Sequence, residues 1–351
     1  MNNKCLALAG LCSFATALAA DPVIGGPMAI KVTQRSATVV CVVETGSASL
    51  SSAADAKPRT APAFRADKHG FSGLQAGTTY TYKCGESEGT FKTAPAKAEP
   101  FNFVVFGDTR TRHDLHRRII AGIMKDGAPD FVLHTGDLVT DGTDSAQWPT
   151  FFEIEREMLR HTAFFPALGN HERNSRHFYD FFDVTDPYYS FNWADGHFIV
   201  LNSDIGNVAS SPSAKEEFWT RQRRWLEEDL AANQKAKFRF LIAHHPPMTA
   251  VSSRNDNPEM SALIPLLEKY KVQAGFFGHD YNYQHYLKDG IHYVVTGGGG
   301  APLYDVGKPP AGITVKVAST EHFVKIHVEN GVAKVTSVAI DGSVLDEFEI
   351  R

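Results

Sequence analysis

The sequence predicts an α/β fold preceded by a small all-β module, and two patterns carry that reading. From Phe101 onward, short apolar strands alternate with segments of helical period, whereas from Met28 to Thr93 short alternating segments are separated by Gly, Ser, Ala and Pro. The 351 residues are 43% hydrophobic and 21% charged, which is ordinary for a globular chain long enough for two domains. A formal charge of -5 with scattered basic residues offers no surface for following a nucleic-acid backbone, so nucleic acid is not an expected partner.

Residues 1–20, MNNKCLALAGLCSFATALAA, combine Lys4, an apolar stretch from Cys5 to Ala20 and an Ala-x-Ala ending at Ala17 and Ala19. This reads as a cleaved secretory signal, shorter than the about 20 apolar residues a spanning helix needs. The mature chain is then expected in the periplasm or outside the cell, with no membrane attachment. Cleavage leaves Cys41 and Cys84 in an oxidising compartment, either as one disulfide or as two buried free thiols.

Residues 21–97 hold the β module, with AIKVTQ, SATVVCVVE, TTYTYKCG and GTFKT as its strands. LQAGTTYTYKC resembles the strand-entry turn and tyrosine corner of fibronectin type III domains. That resemblance implies an immunoglobulin-like sandwich with Cys41 and Cys84 facing each other across its two sheets. APAKAEP, residues 94–100, reads as a linker.

Residues 98–351 form the α/β domain. FNFVVFGD, DFVLHTGD, TAFFPALGN, HFIVLNSD, KFRFLIAHH, VQAGFFGHD and IHYVVTGG are its expected strands. DLHRRIIAGIMKDG, WPTFFEIEREMLRHT, EFWTRQRRWLEEDLAANQ and PEMSALIPLLEKY are its helices. The tail returns to hairpins, with turns at Asn330-Gly331 and Asp341-Gly342.

Five of these strands end in a side chain able to meet a metal or a phosphate: Asp108 in GDTR, Asp137 in GDLVTDG, Asn170 and His171 in GNHE, His244 and His245 in AHHPP, and His279 in GHDY. Strand carboxyl ends of an α/β sheet meet in one crevice, so the series gathers. A single Gly-Asp at a strand end is ordinary turn or capping chemistry. The ordered set is what points to a site.

The series resembles the calcineurin-like metallophosphoesterases, and with the β module before it, the purple acid phosphatase branch. The resemblance covers about residues 22–351 and implies a four-layer α/β/β/α sandwich that binds two divalent or trivalent ions, Fe, Mn or Zn. It implies that Asp108 holds the first metal and Asp137 bridges both, with Asn170, His244 and His279 on the second. His244 is favoured over His245 because it lies two residues before Pro246. His171 matches the histidine that contacts phosphate and protonates the leaving group. Carboxylate, amide and imidazole donors without thiolate suit such ions, which hold an anionic ester and lower the pKa of a bound water.

Three departures fall on the first metal. Thr140 stands where the purple enzymes carry tyrosine, Arg110 where other branches carry histidine, and Tyr281 where a second histidine completes GHxH. Tyr281 then reads in three ways: a phenolate ligand to Fe(III) or Mn(III), a neutral hydroxyl bonded to a metal-bound water, or an aromatic packed below the site. Arg110 either forms a surface pair with Asp108 or Asp114 or clamps a phosphate oxygen. His134 reads as a packed strand histidine or a support for Asp137, and TGGGGAPLY as a tight turn beneath the site. Arg254 and Asn255 are weaker substrate-contact candidates.

The expected function is hydrolysis of a small phosphorylated substrate, a phosphomonoester first and a phosphodiester or nucleotide anhydride second, by a metal-bound hydroxide. A binding protein with a degenerate metal site is the rival of another class.

Overall fold

The computed structural model describes residues 22–54 and 57–351. The expected secretion signal lies outside the described residues. Five strands come first: β1 (Val23–Ile30), β2 (Ser36–Leu50), β3 (Arg59–Ser72), β4 (Thr79–Cys84) and β5 (Ser87–Lys92). Next are β6 (Phe101–Phe106), α1 (His113–Met124), β7 (Phe131–His134), α2 (Trp148–His161), β8 (Ala163–Pro166) and α3 (Arg176–Phe182). They are followed by β9 (Tyr189–Trp193), β10 (Gly196–Val200), α4 (Ile205–Val208), α5 (Pro212–Ala232) and β11 (Phe238–Ala243). The chain continues through α6 (Pro258–Ser261), α7 (Ile264–Lys269), β12 (Ala274–Phe277), β13 (Tyr283–Lys288), β14 (Ile291–Thr296) and β15 (Thr314–Ala318). It closes with β16 (His322–Glu329), β17 (Val332–Ala339) and β18 (Val344–Ile350), whose first turn places Asn330 and Gly331 at φ 51° and 72°.

Among the described residues these strands make a nine-stranded sheet, ordered β18-β17-β16-β6-β7-β8-β1-β2-β3, and a seven-stranded sheet, ordered β15-β13-β14-β12-β11-β10-β9. β4 and β5 pair separately. Parallel neighbours β6, β7 and β8 lie at the centre of the first sheet, and β10, β11, β12 and β14 at the centre of the second. Such strands are largely covered on both faces, which is why they read as mainly apolar runs.

Alternation along each strand sorts the core into three parts. Phe103, Val105, Phe131, Phe165, Phe198 and Phe240 point between the sheets. Val104, Phe106, Val132 and Phe164 point the other way, onto α1, α2 and α3 through Ile119, Ile123, Trp148, Phe152 and Phe182. Ile199, Leu241 and Phe277 of the second sheet meet Leu226 and Leu230 of α5 and Leu266 and Leu267 of α7. The layers are helix, sheet, sheet, helix. At the inter-sheet seam Phe103 stacks on Phe131 at 4.9 Å and meets Phe198 edge-on at 5.3 Å.

The N-terminal region is all-β, but it does not stand apart as a small sandwich. β1 lies parallel to β8 through Ala29 and Ala163, so β1, β2 and β3 extend the nine-stranded sheet and only the β4–β5 hairpin adds a second layer. The physical reason is in β1 itself: six consecutive residues from Gly25 to Ile30 are buried, as in a central strand. The Tyr82 hydroxyl donates within reach of two carbonyl oxygens, Pro27 at 3.1 Å and Arg160 at 3.0 Å, tying the hairpin to β1 and α2. Cys41 and Cys84 form a disulfide joining β2 to β4, and Tyr80 accepts the Gln75 N–H at 2.8 Å, a tyrosine-corner contact.

The segment PEMSALIPLLEKY, expected as one helix, divides into α6 and α7. Pro265 lacks the N–H that would bond back to Ser261, and its ring crowds that turn.

Phe103→Ala is expected to remove about 3 to 5 kcal/mol of stability, the range for emptying a buried phenylalanine site, measured by urea unfolding.

Candidate metal centre

The site is built where strands of both sheets end on the same side. β6 runs into Gly107-Asp108, β7 into Thr135-Gly136-Asp137, and β8 into the turn carrying Asn170 and His171. β11 delivers His244 and β12 delivers His279. Asp108, Asp137 and His279 all adopt positive φ, at 61°, 58° and 67°, a conformation non-glycine residues rarely hold and one concentrated at functional sites. Glycines let these turns close: a Cβ on Gly169 would lie 2.2 Å from the Asp137 nitrogen, and one on Gly278 would lie 2.5 Å from Asp108 Oδ2.

Asp137 is fully buried and its two carboxyl oxygens face different groups. Oδ1 lies 3.3 Å from His244 Nε2 and accepts the His171 N–H at 3.0 Å. Around that oxygen, Asn170 Oδ1 is 3.0 Å from His244 Nε2 and 2.9 Å from His279 Nδ1, and the two ring nitrogens are 3.3 Å apart. Oδ2 instead faces the Tyr281 hydroxyl at 3.3 Å, His171 Nε2 at 3.8 Å and Arg110 Nε at 3.9 Å. Asp108 accepts the His279 N–H, with its oxygens at 3.2 and 3.1 Å. Burial and the neighbouring Asp137 charge push the Asp108 carboxyl well above the usual carboxylate range.

Backbone carbonyls set the imidazoles. His244 Nδ1 faces the Thr135 carbonyl oxygen at 2.8 Å and His171 Nδ1 faces that of Thr140 at 2.7 Å, so each donates there and turns Nε2 toward Asp137. Asp108, Asp137 and His244 each place a donor atom within 4.8 Å of the others, and so do His244, His245 and His279. Two buried carboxylates beside imidazoles and an amide oxygen are costly to ionise alone, and the set fits a hard or borderline cation on the Oδ1 side of Asp137.

Tyr281 reaches the site with its hydroxyl, so its role is not that of a ring packed beneath it. Arg110 Nε donates to that hydroxyl at 3.2 Å while the guanidinium lies 5.1 Å over the ring. Arg110 is largely buried rather than a surface pair, and Thr140 fixes its backbone by donating to its carbonyl oxygen at 2.8 Å. Tyr304 stacks on Tyr281 at 4.6 Å, and Arg254 lies over Tyr304 while contacting His279 through Nη1. His134 packs on Phe106 and accepts the Gly136 N–H at 3.2 Å, so it supports the turn before Asp137 rather than its carboxylate. His245 bonds to Ser203 Oγ at 3.0 Å, and burial with the nearby His244 holds its ring well below the usual imidazole value.

Two contributors escape a reading of the sequence. Glu172 is buried and accepts the backbone N–H groups of Asp137, Leu138 and Gly169, each at 2.8 Å, clamping the Asp137 turn to the Asn170 turn. Burial and Asp137 push its carboxyl up to about 8, against the pull of those amide donors. Glycine has no side chain to complete a capping box, so the Gly169-x-x-Glu172 spacing carries no sequence signal for it. Buried Asp280 holds Arg254 at 3.4 Å and accepts from Thr249 Oγ1 and Gln284 Nε2.

Residues 101–283, just over half the chain, match the calcineurin-like phosphoesterase family. The chain belongs to the calcineurin-like phosphoesterases. All five strand ends that build the site fall within the matched span. This calcineurin-like phosphoesterase is 26% identical over 238 residues to purple acid phosphatase 22 of Arabidopsis thaliana, a match covering 61% of this chain and 52% of that relative. It is 26% identical over 217 residues to a nucleotide pyrophosphatase/phosphodiesterase of Hordeum vulgare, covering 50% of this chain and 58% of the relative. The chain thus spans about half the length of these curated relatives. Among solved structures, the purple acid phosphatase PPD1 from yellow lupin (Lupinus luteus) seeds shares the fold, with a TM-score of 0.74 at 17% identity over 94% of this chain and 75% of that one.

Glu172→Gln replaces an acceptor oxygen by a donor amide facing backbone N–H groups, and is expected to weaken Mn(II) binding by about 10- to 100-fold, read by calorimetric titration. A second expectation concerns His322, buried behind the glycine loop, where a Cβ on Gly298 would lie 2.3 Å from its ring. Burial lowers its imidazole to about 4 from 6.5. The unfolded chain therefore takes up a proton between pH 6.5 and 4 that the folded chain resists, so this stability is complete above pH 6.5 and is lost as pH falls toward 4. Urea unfolding from pH 7 to 4.5 should show a flatter acid limb in His322→Gln, by about 3 kcal/mol at most.

Proposed function

We propose that this calcineurin-like phosphoesterase hydrolyses small phosphate monoesters in an extracytoplasmic compartment. The carrying observation is the gathering of Asp137, Asn170, His244 and His279 about one point, with His171 Nε2 aimed at the same carboxylate. Those four residues would hold a Fe, Mn or Zn ion, with Asp108 beside them. A bound cation would supply the positive charge that draws in a phosphate ester and eases ionisation of the attacking water.

The chain's own residues do the rest. Strand ends fix the donors before substrate arrives, so little reorganisation is left to the reaction. His171 is held by its Nδ1 on Thr140, which leaves Nε2 to carry a proton to the departing alkoxide. Arg110 places a permanent positive charge beside Tyr281 and Asp137, where it meets a phosphate oxygen. The Cys41–Cys84 disulfide supports residence in an oxidising compartment. Among the described residues no helix is long and apolar enough to cross a membrane.

A larger ester or anhydride is the second reading, favoured by a groove of about 510 Å³ beside the site, lined by Arg110, Arg112, His113, Thr140 and Gln147. Turnover of p-nitrophenyl phosphate should exceed that of bis(p-nitrophenyl) phosphate, and the reverse order would select the second reading. His171→Ala should lower kcat by about 10²- to 10⁴-fold on an alkyl phosphate and less on p-nitrophenyl phosphate, whose leaving group needs no proton. Activity that persists in both Asp137→Asn and His279→Ala would refute the site.

A further inference from the structure

The two oxygens of Asp137 do not look out on equivalent surroundings. On the Oδ1 side, Asn170, His244 and His279 offer oxygen and nitrogen donors 2.9 to 3.3 Å apart. On the Oδ2 side stand a phenol hydroxyl, a guanidinium and, at 3.8 Å, the His171 imidazole. A guanidinium has no lone pair to give and keeps its charge throughout the working pH range, so it excludes a metal ion rather than binding one. The Tyr281 hydroxyl is spoken for in both directions, donating to Asp137 and accepting from Arg110. Thr140 spends its hydroxyl on the Arg110 carbonyl oxygen. Asp108, Asp137 and His171 Nε2 are the remaining donors there; Asp108 already receives the His279 N–H at both oxygens, and His171 Nε2, 3.8 Å from Asp137 Oδ2, is the group left to protonate the leaving alkoxide.

We infer that this site holds a single cation, on the Oδ1 side of Asp137, and that the Arg110 guanidinium, steadied by Tyr281, occupies the second cation's place and supplies the second positive contact to phosphate. Arg110 is suited to that role because it is only 15% exposed and its neighbours fix it from several directions. Tyr281 receives its Nε and lies beneath its plane, while Thr140 pins its backbone. Its neutralising charge needs no loading, so the Oδ2 side of Asp137 is compensated whether or not metal is present. The inference rests on the phosphohydrolase reading above and specifies its centre as a metal–guanidinium pair.

The test is the metal count of the full chain, stripped and titrated with Mn(II), with the bound ion examined by electron paramagnetic resonance. One ion per chain with the hyperfine-resolved spectrum of an isolated Mn(II) is the expected result. Two ions giving an exchange-coupled spectrum would overturn the inference and leave the phosphohydrolase reading standing; a chain that binds none would remove both. A charge-transfer colour on loading with Fe(III) would also overturn it, because Tyr281 would then be a ligand. Arg110→Ala should still bind one Mn(II) but lose about 10²- to 10³-fold in kcat, part of which free guanidinium restores. An unchanged kcat in that variant would refute the role given to Arg110.

Discussion

The burial of Asp137 governs this structure. Its carboxylate is sealed from water and shared between the His244 imidazole on one oxygen and a phenol, a guanidinium and the His171 imidazole on the other. A second buried carboxylate, Asp108, stands close enough to repel it. Such a pair persists only where the surrounding framework is rigid and positive charge is at hand. The left-handed backbone at both aspartates, the glycines that let neighbouring turns approach, and the Glu172 clamp all serve that one placement.

Rigidity comes from the two sheets. Each central strand is covered on both faces, so neither sheet can slide without disturbing the phenylalanine seam between them and the helices outside. Because β6, β7, β8, β11 and β12 all finish on one side, their next residues are forced into common space. The family relationship and the likeness to the lupin phosphatase agree with that architecture.

Much of this was legible in the sequence, for reasons that particular residues make plain. Largely apolar runs such as FNFVVF and FRFLIA announced strands buried on most of both faces, and the Gly-Asp, Gly-Asn-His and Gly-His endings marked where each stops. β13 was not legible, because YQHYLK looks polar; Gln284 and His285 are nonetheless buried, each within a hydrogen-bond network to Asp280, Asn282, His292 and Asp346. Glu172 was passed over since its role is to hold backbone N–H groups, which leave no trace in residue types. The separate sandwich was expected from the short alternating segments between Met28 and Thr93 and the LQAGTTYTYKC resemblance, neither of which shows that the first strand is enclosed between β2 and the remote β8.

That strand carries an implication for biogenesis. Ala29 pairs with Ala163, 134 residues further along, so the first strand of the described chain has one flank without a neighbour until the second helix–strand unit, α2 and β8, has been made. Assembly of the larger sheet is therefore a long-range closure and intrinsically slow, with an uncovered apolar ribbon exposed in the interim. A folding assistant that shields extended apolar segments would have its natural target in residues 23–30.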